Sequence, residues 1–123
     1  MNADNAERRN VSEYLRDILA AIAHVRGFVA DMEFDAFATD VKTNFAVVRA
    51  LEMLGEAAKQ IPPDVRALAP DIVWRPMAAM RDKLIHDYPD VQLEIVWKTI
   101  HGDLPDLEPK VQRLLRELTG EAP

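Results

Sequence analysis

The chain contains no cysteine. That excludes a disulfide framework, a thiolate metal site and a cysteine nucleophile. Proline is absent before Pro62, so all eight prolines fall in the second half, and within the proline-free stretch only Gly27 and Gly55 could interrupt a helix. Positive charge is in deficit: 15 Lys plus Arg against 21 Asp plus Glu leave a net charge of −6. This excludes a protein that holds nucleic acid by bulk charge, although a locally basic site remains open. No apolar run approaches the ~20 residues of a membrane span, and no membrane partner is expected. Met1-Asn2-Ala3-Asp4 lacks the basic and apolar regions of a signal peptide, so the expected location is the cytoplasm. The three histidines, His24, His86 and His101, form no HExxH or clustered pattern, and there is no Walker-type loop or Gly-x-Ser-x-Gly elbow. Neither a metal nor another cofactor is expected.

What is present is a core-forming chain. Its 123 residues, 49% of them apolar, suffice for a single domain spanning 1–123. No segment alternates apolar and polar residues in the manner of strands, while apolar residues recur at spacings of three and four. The fold class expected is all-α, an up-and-down bundle with four to five main helices. A first helix is predicted from Asn10, capped there with Glu13 at the capping-box position, to about Ala30, with Tyr14, Leu15, Ile18, Ile22, Val25 and Val29 along it. A connector with one helical turn follows over residues 31–37. A second helix, capped by Thr39 or Asp40, should run to about Gln60 with an apolar face of Phe45, Val48, Leu51, Leu54, Ala58 and Ile61, stopped by Pro62 and Pro63. A further short turn is expected at 64–69 and a loop at 70–74. Pro76 then suits the first turn of a third long helix ending near Tyr88, before Pro89. A fourth should begin near Asp90. Gly102 should loosen it, Pro105 and Pro109 should kink or restart it, and Gly120 should stop the last amphipathic segment of Val111, Leu114, Leu115 and Leu118.

The third helix carries the chemistry. Met77, Met80, Leu84, Ile85 and Tyr88 share a stripe, and Arg81 sits inside it. A guanidinium there needs a partner. Glu52 and Glu56 are four residues apart on the second helix and could supply one, with Arg81 then only tying two helices together. His86 lies five residues after Arg81, about 140° round an ideal helix, so the two do not share a face of one straight helix. Near the helix C-terminus the dipole favours charged His86, and Asp82, four residues earlier, could orient it for proton transfer. On residue types alone a solvated or capping His86 is the favoured alternative. Glu52 and Glu56 with Arg49 could form a catalytic or metal-binding carboxylate pair, but a role as structural partners of Arg81 or a solvated face suits them better. Trp74 and Trp97 could stack bases, yet their apolar neighbours point to core packing.

The string Arg81-Asp82-Lys83-Leu84-Ile85-His86-Asp87-Tyr88 resembles the Arg-x4-His-x-Tyr motif of the HEPN superfamily, in its HepT branch, the toxins of HepT/MntA toxin–antitoxin systems. Val48-Arg-Ala-Leu-Glu-Met-Leu-Gly-Glu-Ala57, Ile72-Val-Trp-Arg75 leading into Met80-Arg81, and Leu93-Glu-Ile-Val-Trp97 resemble the same branch, so that the likeness covers most of residues 10–118 in order. The resemblance implies a homodimeric helical bundle whose motif helices face one another, and a metal-independent RNase of a type VII-like toxin–antitoxin pair. By the same resemblance Arg81 and His86 are the catalytic pair, and Tyr88 is the residue to which a minimal nucleotidyltransferase antitoxin adds AMP; Asp82 stands where relatives commonly have Asn and is assigned a supporting role, orienting His86 or Arg81. Arg75 and Lys83 would contact RNA. The chain departs from the family in Pro89-Asp90-Val91-Gln92 after the tyrosine, and in Ala79 where glycine is frequent. Two other readings compete: a non-catalytic subunit that docks the nucleotidyltransferase, and a plain helical dimerisation module.

Overall fold

The computed structural model describes the backbone of residues 3–86 and 92–120, and the side chains of 10–84 and 92–120. The described residues are helical, with no strand among them: α1 (Ala3–Phe28), α2 (Phe34–Thr39), α3 (Val41–Lys59), α4 (Pro63–Arg66), α5 (Trp74–His86), α6 (Leu93–Lys98), a π turn (Thr99–Asp103) and α7 (Leu104–Thr119). The all-α expectation holds. α1 packs against α3 and α7, and α3 packs against α5.

α1 starts seven residues before the expected cap, and Asn10 is an exposed residue inside it. Ala3 to Arg9 is rich in good helix formers. Val11, Leu15, Ile18, Ile22, Val25 and Val29 alternate spacings of four and three, and every one is buried. Each contributes about 1.5–3 kcal/mol of burial. Met32, Phe34 and the fully buried Phe37 continue this core into the connector.

Asp40 caps α3 as expected, its carboxylate accepting from the Thr43 amide at 3.0 Å. The buried stripe of α3 is Val47, Leu51, Leu54 and Ala58, with Ala50 and Ala57 beside it. Phe45 is not part of it. It stands nine positions before Leu54, about 180° away, and is 55% exposed. Arg66, after the proline pair, folds back and donates to the carbonyls of Ile61 (2.9 Å) and Ala58 (3.0 Å), satisfying the open end of α3. Its guanidinium also lies 5.8 Å from the centre of the buried Trp74 ring, fastening the start of α5 to the end of α3.

The Gly102 region is a π turn rather than a break. The Leu104 amide reaches the Thr99 carbonyl, five residues back. Pro105, which has no N–H, then enters α7 in its first turn, and α7 continues through Pro109 without a restart. Gly120 ends α7 in the left-handed region (φ 74°), its amide bonded to the Arg116 carbonyl at 2.7 Å. Trp97 packs among Phe34, Phe37 and His101, with ring centres 5.9, 5.0 and 4.2 Å away. Trp74 is buried, so both tryptophans serve packing. No helix among the described residues is long and apolar enough to cross a membrane.

Candidate active site

α3 and α5 meet at a glycine. A Cβ added to Gly55 would lie 2.8 Å from the Met77 carbonyl oxygen and would overlap Arg81 Cβ. Hydrogen at that position lets the helices approach until the root of the Arg81 side chain rests on α3. The guanidinium then extends along α3. Its Nε lies 3.1 Å from Glu56 Oε2, and its Nη1 donates to Asp82 Oδ1 at 3.2 Å. The Arg81 side chain is 29% exposed, so the apolar stripe carries a paired, half-buried cation rather than a stranded one.

Asp82 is held from the other side by Lys59, whose Nζ donates to the same Oδ1 at 2.7 Å. The Lys59 hydrogen bond foremost, and that of Arg81 after it, keep the Asp82 carboxyl below its usual range against an opposing desolvation effect. Lys59, Asp82, Arg81 and Glu56 thus form a chain of alternating charge linking α3 to α5.

Arg81 borders an open groove of about 570 Å³ between α1 and α3, where Tyr14, Glu52, Met53 and Gln60 also line the wall. A cation fixed by a carboxylate on each side can present its remaining donors to a phosphate, and can stabilise charge developing there. Among the described residues no three His, Asp or Glu side chains converge to hold a metal ion.

The structure brings only part of the expected site into one place. Arg81 and Asp82 are joined by the 3.2 Å hydrogen bond. Glu56 is the expected partner of Arg81, whereas Glu52 pairs with Arg49 at 3.5 Å. Lys83 is exposed and borders a different, apolar hollow with Ile95 and Val96. Arg75 is exposed near the start of α5, roughly 9 Å along the axis from Arg81 at the ideal rise. His86 is the last residue of α5. Its side chain, Tyr88, and the expected helix stop before Pro89 lie outside the described residues. Two contributors were not identified as site residues from the sequence: Gly55, which makes room, and Lys59, which shares Asp82. Lys59 sits three residues after Glu56 on one helix face, and that spacing was the available signal.

The profile of the ribonuclease HepT-like family matches residues 18–114. The chain is 48% identical over 107 residues to Probable ribonuclease HepT of Thermococcus cleftensis, covering 87% of this chain and 97% of that relative. It is 37% identical over 114 residues to MJ0127, a candidate RNase of Methanocaldococcus jannaschii, covering 93% and 94% of the two chains. A candidate RNase of Caldanaerobacter subterraneus is 38% identical over 104 residues, covering 85% of this chain and 93% of its own. No solved structure gives a significant match. A matched profile over most of the length and relatives of the same size leave one conclusion: the chain belongs to the ribonuclease HepT-like family.

Proposed function

We propose that this HepT-like ribonuclease is a metal-independent endoribonuclease toxin that cuts RNA with Arg81 and His86. The 2′-hydroxyl of the RNA is the nucleophile. Its oxygen bonds to the neighbouring phosphorus as the bond from phosphorus to the 5′-oxygen breaks. The 2′-hydroxyl loses a proton to a base and the departing 5′-oxygen gains one from an acid. Imidazole performs either transfer near neutral pH, and a homodimer with facing motif helices supplies His86 twice to one cleft. Arg81 binds the non-bridging oxygens. Asp82 and Glu56 orient Arg81, and Arg75 and Lys83 draw the RNA toward a protein whose net charge opposes it.

The single observation that carries this reading is the half-buried Arg81, braced by Glu56 and Asp82 at the edge of an open groove, on the helix that ends at His86. A solvated arginine would need neither the glycine cradle nor two carboxylates. On this reading a cytoplasmic nucleotidyltransferase partner silences the toxin by transferring AMP to Tyr88.

The test is RNA cleavage in EDTA by protein shown by mass spectrometry to carry no AMP, beside a His86→Ala control shown to be folded by circular dichroism. Cleavage that persists in EDTA and disappears in His86→Ala is expected. An unmodified, folded dimer that cuts no class of RNA would replace this reading with that of a non-catalytic subunit docking the nucleotidyltransferase.

A further inference from the structure

The groove beside Arg81 has the wrong charge for the RNA backbone alone. Glu52, Glu56 and Asp17 line it against Arg49 and Arg81, and carboxylates repel phosphate. They do not converge as a metal site among the described residues. Glu56 is occupied by Arg81. Glu52 differs: its side chain is 23% exposed, and its partner Arg49 stands 3.5 Å away, itself 71% exposed. That contact is at the long limit of hydrogen bonding and is held by a surface side chain free to swing aside. Glu52 therefore brings a largely covered carboxylate, an acceptor with about four lone-pair sites, into the groove that holds the arginine expected to bind phosphate.

A carboxylate accepts best from two parallel donors, as it does from a guanidinium. Among the RNA bases only guanine presents two adjacent donors on one edge, N1–H and N2–H2. Cytosine and adenine offer an amino group beside an acceptor, and uracil offers one N–H between two acceptors. Sequence-selective proteins read unstacked RNA bases on this edge while an aromatic ring covers the face. The half-buried Tyr14 ring lines the same groove, and Met53, 53% exposed, adds apolar wall. A groove of about 570 Å³ has the size of a small-molecule site.

We propose that this groove is a guanine-binding subsite, in which Glu52 accepts the N1–H and N2–H2 donors, Tyr14 stacks on the base, and the adjoining phosphate is set at Arg81. The subsite would make the ribonuclease selective for a cut next to guanine, and in that respect it rests on the activity proposed above.

Two measurements separate the proposals. The first is cleavage of oligoribonucleotides that differ in one base beside the cut. Wild-type protein should favour guanine at least tenfold in kcat/KM over the other three bases. Glu52→Gln, which replaces one acceptor by a donor, should collapse that ratio towards one. The second is calorimetric binding of guanosine, adenosine and uridine, which needs no cleavage. Guanosine should bind the most tightly, and Glu52→Gln should remove the preference. Equal binding of the three nucleosides overturns the subsite whether or not the protein cuts RNA. So does an unchanged guanine ratio in a Glu52→Gln protein that still cuts. Guanosine-selective binding without cleavage sustains the subsite and overturns the activity.

Discussion

Gly55 and Arg81 lie in direct contact across the α3–α5 interface. A methyl group at 55 would overlap the Arg81 Cβ and come within 2.8 Å of the Met77 carbonyl. Neither obstacle is the free end of a side chain, so rotamer changes cannot relieve the crowding. Gly55→Ala gains up to about 1 kcal/mol of helix propensity and meets an overpacking cost of about 1–3 kcal/mol. The cost prevails. The variant should melt several degrees lower, and its RNA cleavage should fall, because α5 can move away only by carrying Arg81 with it. An unchanged melting temperature and rate would show that the close approach is dispensable.

Arg81→Ala separates chemistry from stability. The ion pairs it removes are part exposed, at 29% for Arg81 and 50% for Glu56, and such pairs contribute about 0–1 kcal/mol. Lys59 still neutralises Asp82. The protein should therefore remain folded while cleavage drops by about 10²–10³-fold, the usual cost of losing one donor to a transition-state oxyanion. A drop in stability of several kcal/mol with activity retained would make Arg81 a structural tie between helices.

Tyr88→Phe tests control by the partner. Only a hydroxyl is lost, and with it the acceptor for AMP. The variant should stay toxic in cells that also produce the nucleotidyltransferase and ATP, and mass spectrometry should find no added AMP. Full neutralisation of Tyr88→Phe would point to silencing by complex formation.

Acid should weaken the fold through three aspartates. Asp40 is lowered first by the Thr43 backbone hydrogen bond, Asp71 by its hydrogen bond from Arg113, and Asp82 by that from Lys59. Each folded carboxyl titrates below the ordinary value of 3.8. Its stabilisation is complete above that value and is lost as pH falls through the lower, folded one. The urea midpoint should thus be insensitive to these three groups near neutral pH and should decline below about pH 4. Asp71→Asn should make the decline shallower; an identical acid slope in that variant would remove Asp71 from the account.

The helices were legible where one physical signal dominated. Leu15, Ile18, Ile22, Val25 and Val29 repeat at the helical period and are all buried, while Asp40 and Gly120 mark ends through local chemistry that needs no tertiary partner. The start of α1 was misread because Asn10 can cap, yet the preceding Ala, Glu and Arg residues favour helix more strongly. Phe45 looked like core because it is large and apolar, but its angle round α3 turns it outward. The prolines after Gly102 suggested a restart. A π turn instead lets the chain pass Pro105 as one helix.

The sequence by itself determined the all-α class, the bounds of α3 and the position of Arg81 on an apolar stripe, because these follow from periodicity and from the limits of proline and glycine within a few residues. Glu56 was foreseen only as one of two partners for Arg81. Tertiary structure decided between them, turned Glu52 toward Arg49, and brought Lys59 onto Asp82, 23 residues away in the chain. Those outcomes depend on how closely α3 and α5 approach and at what rotation. Gly55 sets that approach through an atom it does not have, and periodicity within one helix carries no information about the surface it will meet.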